Sequence, residues 1–169
     1  MSDPDHGIYL DNAATTALDE SVLAAMMPYL TSVAGNPSSL HREGRRARRG
    51  IEESRERVAG VLGVRPRQVT FTSGATEADN LAIRGVLGSR EGVLVSSTTD
   101  HAAVLNTCTA LRAEGRDVVL LEPTATGETS VPALEEALSR AAHRGGAALV
   151  ALMHVNNEIG TINDIAAIG

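Results

Sequence analysis

The stretch GVLVSSTTDHAAVLNTCTALRAEGRDVVLL, residues 92–121, decides the fold class. Gly92–Ser96 is apolar and rich in β-branched residues, so it reads as a strand. Ala102–Ala113 reads as a helix, and Asp117–Leu121 reads as a second strand. Strand, helix, strand at this spacing predicts a parallel pair with a crossover helix.

The pattern continues in both directions. Downstream, Pro132 opens a helix to Arg144 at a first-turn position that proline tolerates. Ala147–Val155 is a near-continuous apolar run, expected as a strand buried on both faces. Upstream, Gln68–Thr72 reads as a short strand and Thr76–Leu87 as a helix, with Leu81, Ile83, Val86 and Leu87 for packing. Asp19–Leu30 predicts a short helix with Asp19 as its N-cap, and Leu40–Leu62 a longer one rich in Arg and Glu. The expected architecture is an α/β fold with a mostly parallel sheet. In such sheets ligands gather at the carboxyl ends of the strands. The loops after Phe71, Ser96 and Val155 are therefore the places to search.

Composition narrows the chemistry. Aromatic residues are 2% of the 169, so the core is built from aliphatic side chains. A net charge of −6 argues against a general nucleic-acid binder. No stretch is long and apolar enough for a membrane span, and Met1–Gly7 carries no apolar leader, so the cytoplasm is the expected location. All 15 basic residues are arginine, which excludes lysine bases, Schiff-base lysines and Walker phosphate loops from these residues. The single Cys108 excludes a disulfide framework and reads as a buried structural thiol. Arg42, Arg45, Arg46, Arg48 and Arg49 alternate with Glu52, Glu53 and Glu56 downstream, as on a solvated helix face.

Four loops can carry chemistry. Thr72–Glu77, TSGATE, follows a strand and opens a helix, where free amides and the helix dipole suit an anion and Gly74 admits a phosphate. It also reads as a capped helix start, with Thr76 capping and Asp79 answering it. Thr99–Asp100–His101 puts an imidazole at the sheet mouth, fit to stack on a ring or move a proton, or simply to cap a helix. In Met153–Gly160, MHVNNEIG, an asparagine amide can donate to a phenolate oxygen, or the segment is a turn. Tyr9–Thr16, YLDNAATT, offers small residues that border a pocket or precede a helix.

Taken together and in order, YLDNAATT (9–16), GNPSSLH (35–41), VTFTSGATEADNLAI (69–83), DHAAVLNTC (100–108) and MHVNNEIGTINDIAAIG (153–169) resemble the class V aminotransferase family. Within it they look most like the cysteine desulfurases that feed iron–sulfur cluster assembly. The resemblance implies a PLP-dependent transferase of fold type I, with helices on both faces of the sheet and a homodimeric assembly. It implies pyridoxal 5′-phosphate (PLP) as cofactor and L-cysteine as substrate. Sulfur would pass through an enzyme persulfide to an acceptor or iron–sulfur scaffold protein, leaving L-alanine. Selenocysteine lyase is a related alternative. Neither nucleic acid nor a membrane is an implied partner.

By the same resemblance, Ala75 and Thr76 contact the PLP phosphate, and His101 stacks on the ring and assists proton transfer. Asn157 bonds the phenolic oxygen, and Asn12, Ala13 and Thr15 border the substrate. Asp100 stands where a glutamate is common. Cys108 matches a structural position and not the persulfide cysteine. Residues 1–20 are expected to border the active site and residues 21–169 to form the first portion of the large domain. A helix begun at Asn163, with Ile165 and Ile168, stops at Gly169 after about two turns. The expectation is therefore an N-terminal part of a desulfurase, inactive alone, or a non-catalytic module that pairs with a complete one.

Overall fold

Residues 7–169 are described by a computed structural model, in two compact units that divide at Phe71/Thr72. The reading of Met1–His6 lies outside the described residues. In the first unit, helix α1 spans Glu20–Thr31 and begins at Asp19, whose carboxylate accepts from the Ser21 amide at 2.8 Å. Helix α2 spans Arg42–Leu62, and its cap is the His41 imidazole, which accepts from the Gly44 amide. It closes at Gly63, where φ is 66°, a left-handed conformation that glycine adopts without strain. Gly50 is needed for packing, because a methyl there would run into the Tyr29 ring. The mixed charges of α2 lie mostly in solvent, with Glu52 reaching Arg48 at 2.9 Å and Arg55 at 3.2 Å.

The strand expected at Gln68–Thr72 does not form. A 3-10 turn occupies Pro66–Gln68, and the residues after it are not paired. A β-rich run becomes a strand only beside another strand. Here the Val69 carbonyl instead accepts from the Arg55 guanidinium, which sits 5.1 Å from the Phe71 ring centre.

The second unit carries the parallel sheet. Strands β1 (Val93–Ser97), β2 (Val118–Leu121) and β3 (Ala147–Val150) lie in the order β2-β1-β3, all parallel. Helices α3 (Ala75–Ser89), α4 (Ala102–Ala113), α5 (Val131–Ala142) and α6 (Ile165–Ile168) complete it. Central β1 alternates between two cores. Leu94 packs with Ile83 and Leu87 of α3 and with Val104, Cys108 and Leu111 of α4. Val93 and Val95 point the other way, onto Leu134, Ala137 and Ala141 of α5. Helices thus cover both faces, as expected for a mostly parallel sheet.

Two further expectations are corrected. The buried strand over Ala147–Val155 shrinks to four residues, Ala147 exposed and the other three partly buried, because β3 is an edge strand paired on one side. Asn163 does not cap the last helix; Asp164 does, accepting from the Ala167 amide at 3.0 Å. Asn163 is buried as a cross-link, accepting from the Thr129 amide and donating to the Met153 carbonyl, both at 2.7 Å. No helix among the described residues is long and apolar enough to cross a membrane.

Candidate functional site

The site is built at the carboxyl ends of β1 and β3 and at the start of α3. Helix α3 begins at Gly74 with no side chain capping it. The cap expected from Thr76 and Asp79 is replaced by a pair one turn wide. Glu77 accepts from the Ser73 amide at 2.7 Å and from its hydroxyl at 2.6 Å, and these bonds hold its carboxyl below the usual range. The Ser73 hydroxyl is therefore spent on Glu77, while Ala75 and Thr76 stay exposed at the positive end of the helix dipole. Gly74 is extended (φ 164°), and a methyl there would meet nothing within 4 Å. The fold itself does not require glycine at this place, and the backbone there is open to approach.

The turn after β1 carries His101. The capping reading of this residue holds, and the ring remains exposed beside it. Its Nδ1 caps α4 by accepting from the Ala103 amide at 3.1 Å, which fixes the proton of the neutral ring on Nε2. The exposed ring borders a hollow of about 370 Å³ that Asp79, Ile83, Asp100, Val104 and Met153 also line. Ala75, Thr76 and Asn157 are not part of that lining. Helices α3 and α4 are joined beside it by Asn80, which donates to the Thr76 carbonyl at 2.9 Å and accepts from the Thr107 hydroxyl at 2.7 Å.

The turn after β3 gives the turn-forming role to the first of its two asparagines and leaves the second exposed. Asn156 is the turn former, buried, with its Oδ1 accepting from the Glu158 and Ile159 amides. Asn157 is exposed, and its amide makes only a 3.4 Å contact with Glu158. Asn12, Ala13 and Thr15 belong to the first unit, in an exposed turn closed by the Ala14 and Thr15 amides on the Asp11 carbonyl. Cys108 is fully buried, and burial pushes its thiol up, with the Asp100 charge adding to the effect.

Asp100 was read only as a neighbour of His101, and the structure gives it more. It is buried and accepts from the Ser96 hydroxyl at 3.1 Å and the His101 amide at 3.3 Å. Burial raises its carboxyl above the ordinary value of 3.8, more than those bonds lower it. A raised carboxyl stabilises the fold fully below the unfolded value, and that contribution is lost as pH rises through the folded value. Urea unfolding from about pH 3 to pH 7 should therefore show wild type losing stability relative to Asp100→Asn as pH rises. Parallel curves for the two proteins would remove Asp100 from this role.

The residues of the second unit fit a phosphorylated aromatic cofactor such as PLP. There is an uncapped helix start with no side chain at Gly74, an exposed imidazole and an exposed amide donor. No lysine amine is present to hold an aldehyde.

Comparison with known proteins gives the same family as the motifs. The family model described as aminotransferase class-V matches residues 8–169. Cysteine desulfurase IscS of Shewanella loihica is 47% identical over 168 residues, covering 96% of this chain and 40% of the relative. The structure described as SspA in complex with cysteine superposes with a TM-score of 0.85 at 40% identity, over 95% of this chain and 46% of that one. A NifS-like protein gives 0.86 at 34% identity, over 95% of this chain and 44% of that one. The chain thus spans about 40% of the length of the curated relative it matches.

Proposed function

This chain belongs to the class V aminotransferase family, and on that premise we propose that it forms the phosphate- and ring-facing side of a PLP-dependent cysteine desulfurase. The observation that carries the reading is the uncapped start of α3 at Gly74. The Ala75 and Thr76 amides, with the Thr76 hydroxyl, bind the phosphate. His101 lies against the ring and uses Nε2 for proton transfer, since Nδ1 is committed to the α4 cap. The Asn157 amide donates to the phenolic oxygen. When bound, PLP supplies the electron sink for breaking the C–S bond of L-cysteine.

L-alanine is the product that follows, with sulfur passed by way of a persulfide to an acceptor or iron–sulfur scaffold protein. A homodimer in the cytoplasm belongs to the same proposal. The likeness to a structure described as a complex with cysteine supports the substrate. These 169 residues hold no lysine, and their one cysteine is buried, so the covalent anchor and the sulfur carrier come from other sequence. The same absence favours a second reading, a non-catalytic module that pairs with a complete desulfurase.

A titration separates phosphate recognition from general stickiness. PLP should bind the chain roughly tenfold or more tightly than pyridoxal, which lacks the phosphate. Gly74→Asp, whose side chain enters open space and sets a carboxylate at the anion position, should abolish that preference. Equal affinities for the two compounds in wild type would overturn the reading.

A further inference from the structure

The two loops that carry His101 and Asn157 are 56 residues apart in sequence, yet one buried side chain ties them together. Asn156 donates from Nδ2 to the Thr99 carbonyl at 2.9 Å, across 57 residues. Its Oδ1 accepts from the Glu158 amide at 2.8 Å and from the Ile159 amide at 3.1 Å. The Asn156 backbone is engaged as well: its amide donates to the Thr161 carbonyl at 2.8 Å, and its carbonyl accepts from the Gly160 amide at 2.9 Å. At 8% exposure the side chain has little contact with water.

Thr99 lies within a tight turn, Ser97 to Asp100, on the other side of the link. Its amide donates to the Ser97 hydroxyl, and the Asp100 amide donates to the Ser97 carbonyl. The His101 amide donates to the Asp100 carboxylate, and the His101 imidazole caps α4. The base of the Asn157 turn is fixed separately, by Asn163 on the Met153 carbonyl and the Thr129 amide. The Nδ2 bond to Thr99 thus ties the Asn157 turn to the His101 turn, while the Met153 backbone at the base of the Asn157 turn also bonds to the Asp100 carboxylate.

We infer that Asn156 is a positioning residue that sets the spacing between the His101 ring and the Asn157 amide. It acts through the Thr99 carbonyl and touches no ligand. The inference rests on the cofactor reading for its consequence, but the clamp itself is a property of the chain. A buried amide with three partners in two loops is costly to leave half-paired, so both loops hold one relative geometry.

Asn156→Ser tests this without adding charge. A serine hydroxyl can still accept from the Glu158 amide in the local turn, but it is too short to reach Thr99. Amide hydrogen exchange should accelerate at Asp100 and His101, on the far loop, while Glu158 keeps its protection. Leu94, in the middle of β1, should be unchanged. PLP should bind about fivefold to tenfold more weakly to the variant, with inorganic phosphate unaffected. Asn157→Ala is the control, weakening PLP without moving exchange at Asp100 and His101. If serine unfolds the chain, Asn156→Asp gives the same exchange test, since its carboxylate keeps both turn acceptors and loses the donor. Exchange that changes only at Glu158 and Ile159, or at neither loop, overturns the clamp. Opened loops with unchanged PLP affinity overturn its positioning role. Failure of wild type to bind PLP removes the cofactor reading, and exchange alone then decides the clamp.

Discussion

Borohydride reduction of the chain in the presence of PLP is expected to leave no pyridoxyl group on any side chain. The aldehyde condenses with amines, and borohydride fixes whatever adduct has formed. All 15 basic side chains are arginines, whose guanidinium groups stay protonated and do not act as amine nucleophiles at neutral pH. The α-amino group at the start of whatever chain is expressed is the remaining amine. Peptide mapping by mass spectrometry should therefore find label at the N-terminal peptide or nowhere, and dialysis should strip the cofactor from the unreduced protein. With L-cysteine and PLP supplied, the chain should form no L-alanine above a protein-free control. Label on an internal peptide, or alanine formed above that control, would refute the account given of the arginine-only composition.

The sequence carried local signals well and long-range ones poorly. Helix α4 was expected at Ala102–Ala113 and spans those residues. Asp19 caps α1 as its side chain allows, and Pro132 lies in the first turn of α5, behind a Ser130 cap. Each of these rests on neighbours within one helical turn. The strand expected at Gln68–Thr72 rested on composition, and composition does not supply a pairing partner. Strand β3 was overextended for a related reason. An apolar run says that residues avoid water, but Ala151 and Leu152 do so past the end of β3, packed against the two cores, with the Ala151 amide making the last bond to the Val95 carbonyl at 2.9 Å.

The site shows the same division. The sequence marked the start of α3, His101 and the paired asparagines, because each is a chemical group in a telling local place. It did not show that the Ser73 hydroxyl is taken by Glu77, nor which asparagine is structural. Asn80 and Thr107 meet across two helices, and Asn156 and Thr99 meet across two loops. Such pairs depend on how strands stack, and one sequence has no local signature for that.

The largest loss of stability is expected from Leu94→Ala, and the reason lies in the place of β1 between two cores. Leu94 is fully buried, against Ile83 and Leu87 on one side and Val104, Cys108 and Leu111 on the other. Truncation there should cost about 3–4 kcal/mol, transfer and cavity terms together. Domains of this size have only about 5–15 kcal/mol in total. At about 4–8 °C per kcal/mol for a unit the size of Thr72–Gly169, the melting temperature read by circular dichroism should fall by roughly 12–32 °C. Leu81→Ala, on the same layer's helix but 53% exposed, should change it by only a few degrees, about 1 kcal/mol or less. A fall below about 5 °C for Leu94→Ala would mean that α3 and α4 do not form a packed layer on β1. The effect should also reach the site. Ser96 follows Leu94 by two residues, faces the same layer and holds the Asp100 carboxylate, which in turn receives the His101 amide. Loosening that layer should release the His101 turn before it releases α5, which packs on the opposite face through Val93 and Val95. Hydrogen exchange in the variant should therefore accelerate at Asp100 and His101 more than in α5. The reverse order would place the weaker core on the α5 side.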